Sequence, residues 1–405
     1  MSLSTALSGL LGAQTGLDVA SNDLANASTT GFKSGSALFQ DIYAASGTAA
    51  PGLGTAQQTI QQNFSEGGLQ PTGNPLDLAV QGNGFFIVSK DGQTFYTRDG
   101  AFKLSPSGEL QNSSGAKVQA FSGTSTGTLG PLTAATGNQP AKATSQVGLT
   151  AALNTADPTI TTAFNAANAS TYDETTSVVA YDSLGNANHV QLFFVKNPPA
   201  ASAPSAPNNW SVYSQPLNAN GSAVGSASKL TTLQFTTNGA LKSGGSASLG
   251  VAWGGGASSA TIAFNFAGTS LASQPFAVGG LTNNGNGPGQ YTGVTVSNDG
   301  AVNANYSNGQ SKAIGVVALA NFVNDQGLRP VSGNLFAASN TSGQAVVNAP
   351  GAGQNGSISP GNLELSNVET SNELVTLLKY QEAYQANASV LQTDQQDTQK
   401  LLQLG

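Results

Sequence analysis

From Leu3 onward leucine returns every seventh residue, at Leu3, Leu10, Leu17 and Leu24, and alanine keeps the same interval three positions later, at Ala6, Ala13, Ala20 and Ala27. This is a heptad pattern with a and d filled over about four repeats, and it predicts an amphipathic helix. Leu7 and Leu11 widen the apolar stripe, and alanines at d let a second helix come close. At the other end Leu374, Leu377, Gln381, Tyr384, Ala388, Leu391, Gln395, Thr398 and Leu402 follow alternating steps of three and four, and no Pro or Gly interrupts Asn367 to Leu404. Ser366 followed by Glu369 has the spacing of a capping box. The first helix then spans ~35 Å and the last just under ~60 Å. Neither has a partner nearby in sequence, so the simplest burial pairs them with each other and with copies from other subunits. The leucines of the first seam are expected to pack against Leu374, Leu377, Leu391 and Leu402. Helices without tertiary packing are marginal, so disordered termini are expected before assembly.

Between these ends the period changes to that of strands and turns. Asp91-Gly92, Asp99-Gly100, Asn220-Gly221, Asn238-Gly239, Asp299-Gly300 and Asn308-Gly309 offer turns with positive φ. Alternating segments such as Gln191 to Lys196 and Gly293 to Ser297 flank them. Short strands at this spacing predict sandwich or barrel domains. The run 197–209, with prolines at 198, 199, 204 and 207, reads as an exposed loop, and residues 31–72 as an extended connector. The fold class is therefore mainly β with long terminal α-helices.

Composition narrows the function. Only 8% of the 405 residues are charged, against roughly 25% in an average soluble protein, which suits a chain packed against copies of itself. The net charge of -7 and 13 scattered basic residues argue against nucleic acid and anionic membrane as partners. No cysteine is present, which removes thiol catalysis, thiolate metal sites and disulfides. No apolar run approaches the ~18 residues of a membrane span. The first basic residue is Lys33, so no Sec-type signal is expected and export calls for another route.

The candidate chemistry resolves into structure. Gly82-Asn83-Gly84 leads into the strand-like Phe85 to Val88, not into a helix N-terminus that would face a phosphate. His189 has no second His and no Cys to make a metal site or dyad with. Asp173-Glu174 and Asp99 are turn and hairpin residues before they are a glycosidase pair, and Arg98-Asp99 reads as part of a hairpin. A calcium loop from Asp182 would need Glu where Phe193 stands. No catalytic, cofactor or metal residues are assigned.

Specific blocks occupy both flanks of the chain. Asn22-Asp23-Leu24-Ala25-Asn26 followed by Thr29-Thr30-Gly31-Phe32-Lys33 comes first, then Gly73 to Phe86 and Tyr96 to Phe102. Ala318 to Phe322, Gly327-Leu328, Glu364, Ser366-Asn367-Val368 and Tyr384-Gln385-Ala386-Asn387 follow near the C-terminus. In this order they resemble the flagellar rod and hook family of bacteria, with Asn26, Gly31, Phe32, Lys33 and Asn387 as its motif residues. Tyr172 to Val178, Tyr181 to Asn186 and Phe193 to Lys196 resemble the outer β domain of hook proteins, an insertion that the shorter rod subunits lack.

The resemblance implies nested discontinuous domains. These are an inner helical coiled-coil domain (1–30 and 363–405), a middle β domain (73–144 and 286–362) and an outer inserted β-barrel or sandwich domain (145–285). It implies a structural subunit, not an enzyme, that polymerises with itself into a curved, flexible tube joining rod to filament. Its implied partners are the distal rod, hook-cap and hook–filament junction proteins, and its implied exporter is the flagellar type III apparatus. Two other readings stay open. A distal rod subunit would lack the insertion, and a secreted β-rich adhesin would display aromatic platforms, for which only Trp210 and Trp253 are available.

Overall fold

The computed structural model describes residues 2–42, 52–123, 127–134, 136–199 and 209–404. They form two compact units: Met1–Thr136 with Gly293–Asn305 and Ser311–Gly405, and Gly137–Thr292 with Tyr306–Gln310.

The first unit carries both helices, α1 (Ser2–Ala25) and α2 (Thr370–Leu404), which pack on each other. Helix α2 begins later than the spacing of Ser366 and Glu369 suggests. Glu369 accepts the first helical hydrogen bond from the Glu373 N–H, while the Ser366 hydroxyl accepts from Val368 N–H and never reaches the helix. The capping box is not formed.

The described part of 31–72 is not an extended connector. Strands β1 (Gly35–Ile42) and β2 (Gly54–Gln62) pair antiparallel as a ribbon lying along α1. The physical reason is a set of close approaches. Ser8 Oγ accepts from Thr55 N–H at 3.2 Å, Asp23 Oδ2 accepts from Gly35 N–H at 2.9 Å, and Gly12 leaves room for the Phe39 ring.

Two short pairings bring the chain's ends together. Strand β3 (Leu69–Pro71) pairs with Asn362–Glu364, and β4 (Leu78–Gln81) pairs with Ser357–Pro360. Strands β5 (Phe85–Lys90) and β6 (Gln93–Thr97) form a hairpin whose turn residues, Asp91 (φ 52) and Gly92 (φ 78), are both left-handed as an Asp-Gly turn demands. Asp99-Gly100 is different: it is no hairpin tip. Gly100 has no positive φ, and a Cβ there would lie 1.6 Å from Leu78 O, so glycine serves a close backbone approach. The core beneath holds Phe85, Ile87, Tyr96, Leu328 and Phe336, with Phe64 edge-on to Phe85 at 5.4 Å.

The second unit is made of two five-stranded sheets enclosing one core, as the turn spacing predicts. One is an antiparallel meander of Glu174–Tyr181, Ala187–Lys196, Trp210–Leu217, Ser228–Phe235 and Leu241–Ser243. The other is mixed and centres on Gln146–Asn154, which runs parallel to Ala260–Asn265 and antiparallel to Ala277–Asn283. Val147, Leu149, Ala151 and Leu153 alternate inward to meet Val190, Leu192, Phe194, Trp210 and Phe264. Most of the proline-rich loop lies outside the described residues, but its ends are tied by Asn197 N–H donating to Asn209 O. Entry and exit strands bridge at Gln139 with Gly289 and Lys142 with Asn286, so the unit extends beyond 145–285.

Both tryptophans are buried, which removes the aromatic platform an adhesin would need. Replacing Trp210, fully enclosed in this core, with Ala is expected to lower the second unit's stability by about 3–5 kcal/mol. Urea denaturation followed by near-ultraviolet circular dichroism measures this, with the first unit's transition unchanged.

Candidate assembly interface

The contact between α1 and α2 is built from what α1 lacks. Ala6, Ala13, Gly16, Ala20 and Asp23 are its buried residues. With Gly9 they continue the three-four spacing of a seam made almost entirely of small side chains. A Cβ on Gly9 would lie 2.7 Å from Asn387 Oδ1, and one on Gly16 would lie 2.4 Å from the Tyr380 ring. Seven residues forward on α1 is thus seven back on α2, so the helices run antiparallel. The next layer in this register sets Asp23 opposite Glu373.

The leucines of α1 go elsewhere. Leu3, Leu7 and Leu11 are exposed, while Leu10, Leu17 and Leu24 are half-buried. On α2 the residues least open to solvent are Glu373, Thr376, Leu377, Tyr380, Asn387, Ala388, Leu391 and Asp394. The periodicity locates this face about one residue off. Leu377, Ala388 and Leu391 lie on it, but Leu374 and Tyr384 are exposed, as are Gln381 and Gln395. The Leu402 side chain lies outside the described residues. The offset follows from size, because a seam of alanine and glycine accommodates Tyr380 and Asn387, while the heptad reading assigns the interface to leucines. The small seam also gives each helix a partner within the chain.

The motif residues converge where α1 ends. Asn26 closes the helix, its Nδ2 donating to Asn22 O at 2.9 Å and its Oδ1 accepting from Thr29 Oγ1 at 3.1 Å. Gly31 takes φ 67, and a Cβ there would sit 2.4 Å from Asp99 N; its N–H donates to Glu364 O. Phe32 O accepts from Asn367 N–H, and Asn367 Nδ2 donates to Asn63 O at 2.7 Å. Lys33 is buried, with Nζ 2.5 Å from Glu364 Oε1 and 2.6 Å from Ser65 O. Asn387 instead lies on α2, against Gly9.

Arg98 completes the cluster. Its Nη1 donates to Glu364 Oε2 at 3.3 Å and its Nη2 to Gly82 O at 2.7 Å, with the guanidinium 5.3 Å from the centroid of the Phe85 ring. Asp99 accepts from Thr30 Oγ1 and Ala101 N–H, so the Arg98-Asp99 pair ties the sheet to the end of α1. One buried carboxylate therefore joins four segments: the stretch after α1, residues 63–67, the residue that follows β6 and the lead-in to α2. Burial pushes the Lys33 ammonium below the usual lysine range, and the Glu364 charge works against that shift. Sequence reasoning cited Lys33 and Glu364 only as motif residues and missed the charge pairing. It also missed Gly9 and Gly16, although their spacing with Ala6, Ala13 and Ala20 was the available signal.

Among the described residues no group of three or more His, Asp or Glu is placed to hold a metal. Asp182 instead closes a turn, accepting from Leu184 N–H, Asn186 N–H and the side chains of Asn186 and Asn188.

Two helices joined by a small-residue seam, two paired flanks and a β unit inserted between them fit the hook-type organisation that the resemblance to the flagellar rod and hook family implies. Residues 3–33 match the family described as flagella basal body rod protein, 79–162 the flagellar hook protein FlgE/F/G D1 domain, 149–286 the flagellar basal body protein FlaE D2 domain and 359–404 the flagellar basal body rod FlgEFG protein C-terminal family. The chain is 36% identical over 415 residues to the flagellar hook protein FlgE of Salmonella typhimurium (strain LT2), covering 100% of both. It is 37% identical over 421 residues to that of Escherichia coli (strain K12), again covering 100% of both. The fold is also similar to the crystal structure of Helicobacter pylori flagellar hook protein FlgE2, with a TM-score of 0.56 and 15% identity over 71% of this chain and 98% of that one.

The chain belongs to the FlgE family of flagellar hook proteins. It is a structural subunit of the hook, outside the bacterial cell, and no enzyme. Proteins of this family assemble with copies of themselves.

Removing one partner from a buried ion cluster leaves charge without compensation, at a cost of about 3–5 kcal/mol. Glu364→Gln, which strands Lys33 and Arg98, is expected to destabilise the helix-bearing unit by that amount. Urea denaturation followed by far-ultraviolet circular dichroism tests this.

Proposed function

We propose that the leucines turned away from the α1–α2 seam are the contacts by which one subunit holds the next. The observation that carries this reading is the exposure of Leu3, Leu7 and Leu11 on α1 and of Leu374, Val375, Leu378 and Val390 on α2. Contiguous apolar rows of this kind mark interaction sites. A heterologous contact repeated by a helical operator builds an open polymer. Each leucine covered contributes roughly 1.5–3 kcal/mol. Leu10, Leu17, Leu24 and Tyr384 flank these rows, while Ala6, Ala13, Ala20, Leu377, Ala388 and Leu391 hold the helix pair together.

The helices form the inside of the tube, the sheet of the first unit its middle layer and the second unit its outside. The outer unit carries few charges, which suits contacts that slide as the tube bends while transmitting torque from rod to filament. At its ends the polymer meets the distal rod, the hook cap and the hook–filament junction. The subunits arrive through the flagellar type III export apparatus, whose narrow channel suits a chain without disulfides.

Changing Leu3, Leu7 and Leu11 together to Ser is expected to leave a soluble monomer with unchanged helix content that forms no tubes under the electron microscope. Polymers of normal length would overturn the assignment. Excising 145–285 retains the bridges of Gln139 with Gly289 and Lys142 with Asn286 and is expected to give straight, stiff tubes. Unchanged curvature would remove the outer unit from the account of bending.

A further inference from the structure

Asparagine is followed by glycine at seven places in the chain. Such a pair can react with itself, because glycine sets no side chain in the way of its own main-chain nitrogen. The reaction needs that nitrogen free and the asparagine amide able to swing onto it. At six of the seven places the fold withholds one or both. Gly221 N–H donates to Asn218 O at 2.8 Å, Gly239 N–H to Thr236 O at 3.0 Å and Gly309 N–H to Tyr306 O at 3.0 Å, so three turns commit the glycine nitrogen that follows Asn220, Asn238 and Asn308. Gly356 N–H donates to Asn83 O at 2.7 Å, and the buried Asn355 before it has Nδ2 on Leu319 O and Asn348 O. Asn284 Oδ1 accepts from Ser145 N–H and Gln146 N–H, while the buried Asn286 donates from Nδ2 to Gly287 O.

Asn83 is the exception. Its side chain is exposed and makes no hydrogen bond among the described residues, and no turn or loop hydrogen bond holds the Gly84 N–H. Glycine stands on both sides, Gly82 at φ 92 and Gly84 at φ 119, so no neighbouring side chain crowds the closing ring. The main chain around it is fixed. Gly82 O accepts from Arg98 Nη2 at 2.7 Å, Gly82 N–H donates to Glu66 Oε2 at 3.2 Å, and Asn83 O accepts from Gly356 N–H.

We propose that Asn83-Gly84 is a self-modification site, at which the folded subunit converts asparagine to aspartate and isoaspartate with water as the only co-reactant. The Gly84 nitrogen gives its proton to solvent and bonds to Asn83 Cγ. The Cγ–Nδ2 bond breaks, ammonia leaves, and a succinimide ring is closed. Water then opens the ring. Attack at Cγ leaves aspartate, and attack at the main-chain carbonyl carbon leaves isoaspartate, whose backbone is one methylene longer. Either product sets a new negative charge next to the Gly82 N–H that holds Glu66, where like charges repel. The isoaspartate also lengthens the stretch that joins β4 to β5 and meets Gly356 of the other flank. The change therefore loosens one stitch between the two flanks.

The test incubates the dilute full-length chain in mildly alkaline buffer, folded in one arm and unfolded by guanidinium chloride in the other. Each Asn-Gly peptide is followed by mass mapping, with electron-transfer fragmentation to separate aspartate from isoaspartate. Unfolded, all seven pairs are expected to convert at comparable rates. Folded, Asn83 is expected to keep close to its unfolded rate. The other six are expected to slow on the order of tenfold or more, because each must first give up a native hydrogen bond. Asn83→Gln, whose longer side chain disfavours the ring, is expected to remove the conversion at this position. Asn83 as protected by folding as Asn220 and Asn238, or conversion at position 83 undiminished in the Asn83→Gln chain, would overturn the assignment.

Discussion

Gly9 and Gly16 have no side chain, and Asn387 and Tyr380 occupy the space that a Cβ on either would need. That close approach orders the rest of the first unit. It fixes the antiparallel register of α1 and α2, seals Ala6, Ala13 and Ala20, and leaves Leu3, Leu7 and Leu11 exposed. A seam of leucines would have satisfied the two helices within one molecule and left little apolar surface for a neighbour. A seam of alanine and glycine satisfies them at short range and keeps the larger side chains available. On the proposed assembly contacts, folding of the subunit and its capacity to polymerise rest on different residues of the same helix.

Charge is used sparingly and where chain ends must meet. Glu364 collects Lys33, Arg98 and the Gly67 N–H in a buried cluster where the chain has left one helix and is about to enter the other. Such a cluster adds little net stability compared with a well-packed apolar alternative, but breaking any part of it is costly. It ties the two flanks of the chain at one point, beside the pairings of β3 and β4 with the C-terminal strands.

Much of this was readable from residue order. The heptad in α1, the unbroken run of α2, the Asp91-Gly92 turn and the alternation from Gly293 to Ser297 all carry patterns that survive folding. The misreadings share one cause: the decisive quantity was an absence or a distant partner. Glycine adds nothing to a hydrophobic pattern, so Gly9 and Gly16 went unseen and the face of α2 was placed one residue off. The ribbon of β1 and β2 shows no alternation in sequence, because its apolar residues come in the run Ala37-Leu38-Phe39 and then singly, and it is held to α1 partly through backbone donors. Gly100 looked like a turn because Asp-Gly usually makes one, whereas here Leu78 O demands the missing Cβ. Arg98 and Lys33 are far apart in sequence and meet only through Glu364.

Electron cryo-microscopy of tubes polymerised from this chain, at a resolution that separates side chains, tests the central claim most directly. The account predicts Gly9 against Asn387 and Gly16 against Tyr380 within each subunit, and Leu3, Leu7 and Leu11 buried by a neighbouring copy. Leucines of α1 packed into the α2 of their own chain, with the glycines facing another subunit or the channel, would contradict it.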